Sequence, residues 1–264
     1  MRSKTALATH QWAPAGTDTR AAAPVAVLVH GVTGWHRTWW RVGPALAERG
    51  WRVIAVEQRG HGHSPRIEGH ATVGDWAADV VAVLEGIGAP VALIGHSLGA
   101  AVSAELAYLR PDLLKSLVLE DPPAISRAGD TAWRANLERE MRDAHAHMDD
   151  EVARELAANP DWLPEDARQD VEGKQLADGV GLLASFDRET GARVPELAPL
   201  IDVPTLYILA DGERSVYRGA ARRRLARELP PTGRVVVADA GHTVHRDRFA
   251  WYVDTVAEWI ERHR

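Results

Sequence analysis

The chain has 264 residues, of which 45% are hydrophobic, and it carries a formal net charge of −6 at pH 7. Acidic and basic residues are interspersed, which argues against a nucleic-acid partner, and the basic run 222–224 fits a solvated helix face. The sequence contains no cysteine, so disulfides, thiolate metal sites and a cysteine nucleophile are all excluded.

The hydropathy pattern gives no sign of a membrane protein. No run of about 18 apolar residues occurs, and the first 23 residues lack the apolar segment of a secretion signal. We therefore expect a cytoplasmic protein without a membrane partner. The sequence leaves open whether it is a monomer or a homodimer.

Short apolar runs alternate with amphipathic segments along most of the chain. We predict strands at 25–30, 51–57, 91–96, 117–121, 205–210 and 234–238, and helices at 38–49, 73–87, 98–110, 216–228 and 247–262. This alternation predicts an α/β fold, in which a mostly parallel central sheet is flanked by helices.

One interval, residues 123–203, lacks a convincing strand. Helical patterns occur at 131–148, 150–158 and 164–178, with breaks at Pro160 and Pro164 and a less clear pattern at 179–185. We therefore predict a core formed by 1–122 and 204–264, with 123–203 inserted as a helical cap or lid.

The most specific motif is Gly95-His96-Ser97-Leu98-Gly99, which matches the nucleophile elbow G-x-S-x-G. An apolar strand precedes it and a helical pattern with small residues follows. A flexible glycine-serine loop is the alternative, and the strand-turn-helix context argues against it. Ser97 is therefore the candidate nucleophile, because the elbow holds a serine hydroxyl clear of the sheet.

Three further motifs stand in a fixed order around the elbow. His30-Gly31 ends the first core strand, 57–64 reads Glu-Gln-Arg-Gly-His-Gly-His-Ser, and Asp211 and His242 follow late strands. Together with the elbow, they resemble the serine-nucleophile α/β-hydrolase family from about residue 25 to the C-terminus. The turn departs from the family at Glu57, where relatives commonly have aspartate.

The resemblance implies a catalytic triad in the order serine, acid, histidine. His242 occupies the family's position for the base, and His245 is a weaker alternative. Asp211 occupies the usual acid position and is favoured, whereas Asp121 matches the position that some relatives use. Glu120 and Glu213 are weaker candidates for the acid.

The resemblance also implies an oxyanion hole made of two backbone N–H groups. Leu98, directly after the nucleophile, is expected to supply one, and Val32, in the loop after His30-Gly31, the other. Their amides matter more than their side chains.

We expect the substrate pocket to be apolar. Trp35 is a candidate wall, and His96 is a candidate for substrate contact or for a structural role in its turn. Residues of the predicted cap that could close the cleft, or pack within the cap, are Trp133, Met141, Trp162 and Phe186.

Neither a metal nor a cofactor is predicted. His61 and His63 stand two apart in a glycine-rich turn, His145 and His147 would point to different sides of a helix, and phosphate-binding loops are absent.

The resemblance implies a serine hydrolase that cleaves a carboxylic ester, lactone or thioester through an acyl-enzyme, acting as a carboxylesterase- or lactonase-like enzyme. Its substrate would be a small apolar or aromatic molecule. Alternatives with the same triad are a C–C bond hydrolase and a cofactor-free perhydrolase. A non-enzymatic ligand-binding receptor of this fold is a further alternative.

Overall fold

The computed structural model describes residues 6–15, 23–124, 129–188, 192–211 and 214–264. Within these ranges the chain forms one sheet of seven strands. The strands are β1 (Thr9–Trp12), β2 (Val25–Val29), β3 (Arg52–Val56), β4 (Val91–His96), β5 (Leu114–Glu120), β6 (Thr205–Ala210) and β7 (Gly233–Ala238). Their order across the sheet is β1-β3-β2-β4-β5-β6-β7, with β1 antiparallel to β3 and the other neighbours parallel. The predicted α/β architecture is confirmed.

The central strands are buried on both faces. Every residue of β2, β4 and β6 is buried, which explains their nearly continuous apolar sequences. The edge strand β1 is mostly exposed and lacks an apolar run, so its sequence contains no strand signal. Strand β1 is stabilised by its pairing with β3. Because β3 lies about 40 residues away in the sequence, the hydropathy pattern of β1 alone does not predict this pairing.

Helices cover both faces of the sheet. Those described are α1 (Val42–Glu48), α2 (Val73–Ile87), α3 (Leu98–Leu109), α4 (Thr131–Ala146), α5 (Met148–Ala158), α6 (Pro164–Leu176), α7 (Gly179–Phe186), α8 (Val194–Leu197), α9 (Gly219–Glu228), α10 (Val244–Asp247) and α11 (Phe249–Arg262). One apolar cluster joins α2 and α3 to the sheet, and a second joins α1 and α11 to it. The sheet is thus enclosed between two apolar layers.

The ends of α2 follow from its sequence. Thr72 and Asp75 form a capping box at its start, and Gly88 ends it in the left-handed conformation with φ 78°. These contacts satisfy backbone groups that a helix end leaves unpaired. The observed bounds, Val73–Ile87, are those that the sequence predicts.

Helices α4 to α7 all lie between β5 and β6, in the interval where no strand was predicted. Buried residues of α4 and α7 belong to the same apolar cluster as α2 and α3. Helix α6 is bound to the segment after β2, because the Trp35 indole donates to the Gln169 carbonyl at 3.0 Å and the Trp40 indole to Asp166 at 2.9 Å. The inserted helices therefore pack directly on the core.

None of the helices in the described ranges is both long enough and apolar enough to cross a membrane.

Candidate active site

Ser97 occupies the turn between β4 and α3. Its backbone has φ 51° and ψ −117°, a positive φ that is uncommon for a residue with a side chain. The flanking glycines allow this turn, because a Cβ at Gly95 would lie 2.4 Å from the Gly99 carbonyl oxygen and one at Gly99 would lie 2.2 Å from that of Val29. The elbow geometry thus requires both glycines of the motif.

His242 connects Ser97 to a buried carboxylate. Its Nε2 lies 2.9 Å from Ser97 Oγ, and its Nδ1 lies 2.7 Å from Asp121 Oδ2. The side chain of Asp121 is fully buried, whereas that of His242 is one-third exposed. A proton on Nδ1 would be donated to Asp121, which leaves Nε2 free to accept the serine proton.

The carboxylate that contacts His242 is not the one that the sequence favours. The sequence favours Asp211, but Asp211 is exposed, and in the described residues the carboxylate hydrogen-bonded to His242 is that of Asp121, the stated alternative. The predicted assignment of Asp211 as the partner of His242 is therefore wrong in this structure. Glu213, a weaker candidate, lies outside the described residues.

The environment of Asp121 accounts for the difference. Its Oδ1 accepts from Ser215 Oγ at 2.5 Å and from the Ala210 N–H at 3.3 Å, and its Oδ2 also accepts from the Val216 N–H at 2.9 Å. Strand β5 stands between β4 and β6, so a residue after β5 is one strand nearer to Ser97 than a residue after β6. Both aspartates follow a strand, and only the three-dimensional packing distinguishes them.

A second histidine-carboxylate pair lies beneath His242. Glu120 accepts from the His245 backbone N–H at 2.9 Å, and its Oε1 lies 2.8 Å from His245 Nδ1. Burial, followed by the nearby Arg246 charge, lowers the pKa of His245 to about 3, and burial raises the pKa of Glu120. His245 is therefore a buried neutral group paired with Glu120. Sequence reasoning treated the two residues only as weak alternatives within the triad and missed their pairing.

His96 fills the space between these two pairs. Its Nε2 lies 3.1 Å from the His242 carbonyl oxygen, and its ring is 4.8 Å from the His242 ring and 5.2 Å from the His245 ring. Burial lowers the pKa of His96 well below its usual range, so the ring is neutral. A neutral His96 donates from Nε2 to that carbonyl and supports the loop that carries His242.

The loop after β2 passes directly beside Ser97. A Cβ at Gly31 would lie 3.1 Å from Ser97 Cβ and 2.9 Å from His96 Nδ1. Val32 is the residue directly after Gly31. Leu98 is the first residue of α3, and backbone N–H groups in the first turn of a helix have no acceptor within the helix. The two residues predicted for the oxyanion hole thus lie on the two segments that meet at Ser97.

The turn at 57–64 holds that loop in place. The Gln58 side-chain amide donates to the His30 carbonyl at 2.7 Å, and the Gln58 backbone N–H donates to His30 Nε2 at 3.1 Å. Burial lowers the pKa of His30 to about 4, which fits a neutral ring that accepts at Nε2 and donates from Nδ1 to the Gly31 carbonyl at 2.7 Å. Gln58 therefore supports the loop of the expected oxyanion hole.

The predicted pocket residues fall into two groups. Met141 and Phe186 are buried in one apolar cluster that also contains Leu98, and Trp133 packs against it with its ring 4.9 Å from that of Phe186. Trp35 and Trp162 instead connect the inserted helices to the core. The Trp162 indole donates to Asp247 Oδ1 at 2.7 Å, and the Arg246 guanidinium lies 4.4 Å from the centre of its ring.

The mostly parallel seven-stranded sheet flanked by helices is the fold of an α/β hydrolase. A family model described as alpha/beta hydrolase fold matches residues 24–249. The chain belongs to the α/β-hydrolase family.

Relatives that match most of the chain are hydrolases. The sn-1-specific diacylglycerol lipase of Mus musculus is 26% identical over an alignment 279 residues long. The alignment covers 92% of this chain and 83% of that protein. The 2-(acetamidomethylene)succinate hydrolase of Mesorhizobium japonicum is 30% identical over 238 residues, covering 86% and 84%. Among solved structures, the enol-lactonase from Burkholderia xenovorans LB400 superposes with a TM-score of 0.75 at 22% identity, covering 97% of this chain and 96% of that one. The family and the two relatives matched by sequence support hydrolytic activity, whereas the likeness to the solved structure shows the fold.

Proposed function

We propose that the protein is a serine hydrolase that cleaves a carboxylic ester, lactone or thioester through an acyl-enzyme. The observation that carries this proposal is the continuous hydrogen-bonded chain Ser97–His242–Asp121, with distances of 2.9 and 2.7 Å. A serine hydroxyl is a poor nucleophile at neutral pH, and this chain supplies the base that activates it.

In the proposed mechanism, Ser97 Oγ attacks the substrate carbonyl carbon while its proton passes to His242 Nε2. Asp121 stabilises the imidazolium that forms, and the backbone N–H groups of Leu98 and Val32 donate to the oxyanion. The tetrahedral intermediate collapses as His242 gives the proton to the leaving alcohol or thiol. A water molecule then attacks the acyl-enzyme, again through His242, and releases the acid and free Ser97.

We propose that the substrate is a small molecule with an apolar or aromatic group. Support comes from the apolar cluster that Met141 and Phe186 share with Leu98, and from Trp133 packed against it. The diacylglycerol lipase among the relatives acts, by its name, on an ester. In this proposal the inserted helices α4 to α7 form a cap above Ser97, and their composition sets the preferred acyl group.

A fluorophosphonate probe and intact-mass measurement test the proposal. We expect one covalent adduct on the wild type, none on Ser97→Ala, and turnover of p-nitrophenyl esters from acetate to laurate. Ser97→Ala should lower kcat by about 10⁴ to 10⁶, as loss of a triad nucleophile does elsewhere.

The matched control is Ser103→Ala, which removes a buried hydroxyl from α3, and this variant should still form the adduct. Undiminished ester turnover by Ser97→Ala would refute the acyl-enzyme mechanism. Labelling of the wild type without turnover of any ester would point instead to the C–C hydrolase or perhydrolase alternatives.

A further inference from the structure

A separate cluster of ionisable side chains lies on the turn that follows β3. Glu57 Oε1 is 2.5 Å from His36 Nδ1, and Glu57 Oε2 is 3.2 Å from His63 Nδ1. One ligand atom from each of the three residues lies within 4.8 Å of the others. None of the three belongs to the Ser97–His242–Asp121 chain.

The three side chains come from three places in the sequence. His36 begins a short 3-10 helix, His36–Trp39, Glu57 directly follows β3, and His63 lies in the 57–64 turn. Local spacing does not reveal this convergence, which is why the sequence predicts no metal site there. The histidine pair considered from sequence, His61 and His63, is not the pair that the fold assembles, because His61 is buried against His30.

The carboxylate is held rigidly between the two imidazoles. Glu57 Oε2 accepts from the His63 backbone N–H at 2.5 Å, and a Cβ at Gly62 would lie 2.3 Å from the same oxygen. The His36 ring is stacked on that of His10, with centroids 4.7 Å apart. The packing around the cluster therefore fixes the Glu57 carboxylate and the His36 ring before any ligand binds.

Charge and exposure suit a cation. Burial alone would raise the pKa of Glu57, but hydrogen bonds from His36 and from the His63 backbone outweigh it and hold the pKa at about 2. Glu57 is thus ionised at neutral pH while its side chain is only 2% exposed. His63 is 63% exposed, which leaves the cluster open to solvent on one side.

We propose that His36 Nδ1, His63 Nδ1 and the Glu57 carboxylate form a binding site for Zn²⁺ or a similar divalent transition-metal ion. Zinc binds imidazole nitrogen at about 2.0–2.1 Å and carboxylate oxygen at about 2.0–2.2 Å, so neighbouring ligands in a tetrahedral site are about 3.3 Å apart. The distances from His63 Nδ1 to the two Glu57 oxygens, 3.2 and 3.5 Å, agree with this spacing.

The His36–Glu57 contact is shorter, at 2.5 Å, which is the length of a strong hydrogen bond whose proton would lie between the two groups. Replacing that proton by a cation would lengthen the contact by less than about 1 Å. The fourth position of the metal would face solvent beside His63. A bound ion would cross-link the 57–64 turn to the segment after the oxyanion loop, so its role is structural.

The test is isothermal titration of the EDTA-treated, dialysed full-length protein with Zn²⁺ at pH 7.5. We expect saturable binding of one equivalent, weakened at least tenfold in His36→Gln and in His63→Gln. The matched control is His70→Gln, an exposed histidine outside the cluster, and it should bind as the wild type does.

A second readout is thermal unfolding with and without Zn²⁺. At about a hundredfold excess over the dissociation constant, the wild-type Tm should rise by several degrees, and the rise should be absent in the double variant H36Q/H63Q. His63→Gln changes an exposed side chain, so it keeps the test valid if the His36 variant folds poorly. Absence of saturable binding to the wild type would overturn the proposal, as would equal binding to the wild type and the double variant.

Discussion

At the scale of single residues, the site depends on backbone positions that only glycine can fill. Ser97 has φ 51°, and the chain turns sharply enough there to bring α3 against β2. The obstacles to a side chain at Gly99 are the carbonyl oxygens of Val29 and His30, at 2.2 and 2.5 Å from a built Cβ. Backbone atoms of a central strand cannot move aside as a flexible side chain can.

We therefore expect Gly99→Ala to destabilise the protein by about 1–3 kcal/mol through overpacking, and to lower turnover by displacing Ser97. Urea denaturation gives the free energy of unfolding. Gly86→Ala is the matched control, because Gly86 lies in α2 with nothing within 4 Å of its Cβ position, and alanine should there stabilise the helix by about 0.5–1 kcal/mol. Equal stability of the two variants would contradict this account of the elbow.

At the scale of elements, the sequence predicts those strands and helices whose signals are local. The buried strands β2, β4 and β6 have apolar runs, and α2 has both caps. The strand β1 was missed because three of its four residues are exposed and it forms only by pairing with β3. Predictions from local patterns fail where an element owes its existence to a distant neighbour.

The same limit explains what could be predicted of the candidate site. The sequence predicts Ser97 and His242 as nucleophile and base because each follows a strand within a characteristic motif, and the structure places their side chains 2.9 Å apart. The choice between Asp211 and Asp121 depends on which carboxylate reaches the His242 imidazole. The order of β4, β5 and β6 in the sheet decides this in part. The segment 214–217, which packs against Asp121, contributes the rest. No local motif encodes that distance.

The inserted helices are bound to the core by buried charges as well as by apolar packing. On α6, Asp170 contacts Lys174 at 2.9 Å and also Arg246 of α10 at 2.6 Å. Lys174 and Arg246 are both almost fully buried. This network connects α6 to the short helix α10, which follows the His242 loop.

At the scale of the whole molecule, the protein holds several histidines in a buried neutral state. Burial lowers the pKa of His30 to about 4 and those of His61 and His245 to about 3. In the unfolded chain these groups titrate near 6.5, so below that pH the unfolded state binds protons that the folded state does not. Stability is therefore fully present above pH 6.5 and is lost as the pH falls towards 4.

We expect the free energy of unfolding to fall below pH 6.5 by about 1.4 kcal/mol per pH unit for each such histidine. The ionised Glu57, whose folded pKa of about 2 lies below its usual 4.5, adds a further loss below pH 4.5. Urea denaturation at pH 7.5, 6.5, 5.5 and 4.5 measures the slope. A free energy of unfolding that stays constant from pH 7.5 to 5.5 would contradict the burial of neutral histidines.

In the proposed mechanism Ser97, His242 and Asp121 act as one unit. The most direct test compares kcat of Asp121→Asn and Asp211→Asn on the same p-nitrophenyl ester. An amide at 121 cannot accept the Nδ1 proton of His242 as a carboxylate does, so Asp121→Asn should lose about 10⁴ in kcat. Asp211 is exposed, and Asp211→Asn should stay within about twofold of the wild type. A large loss in Asp211→Asn with activity kept in Asp121→Asn would contradict the assignment of the acid.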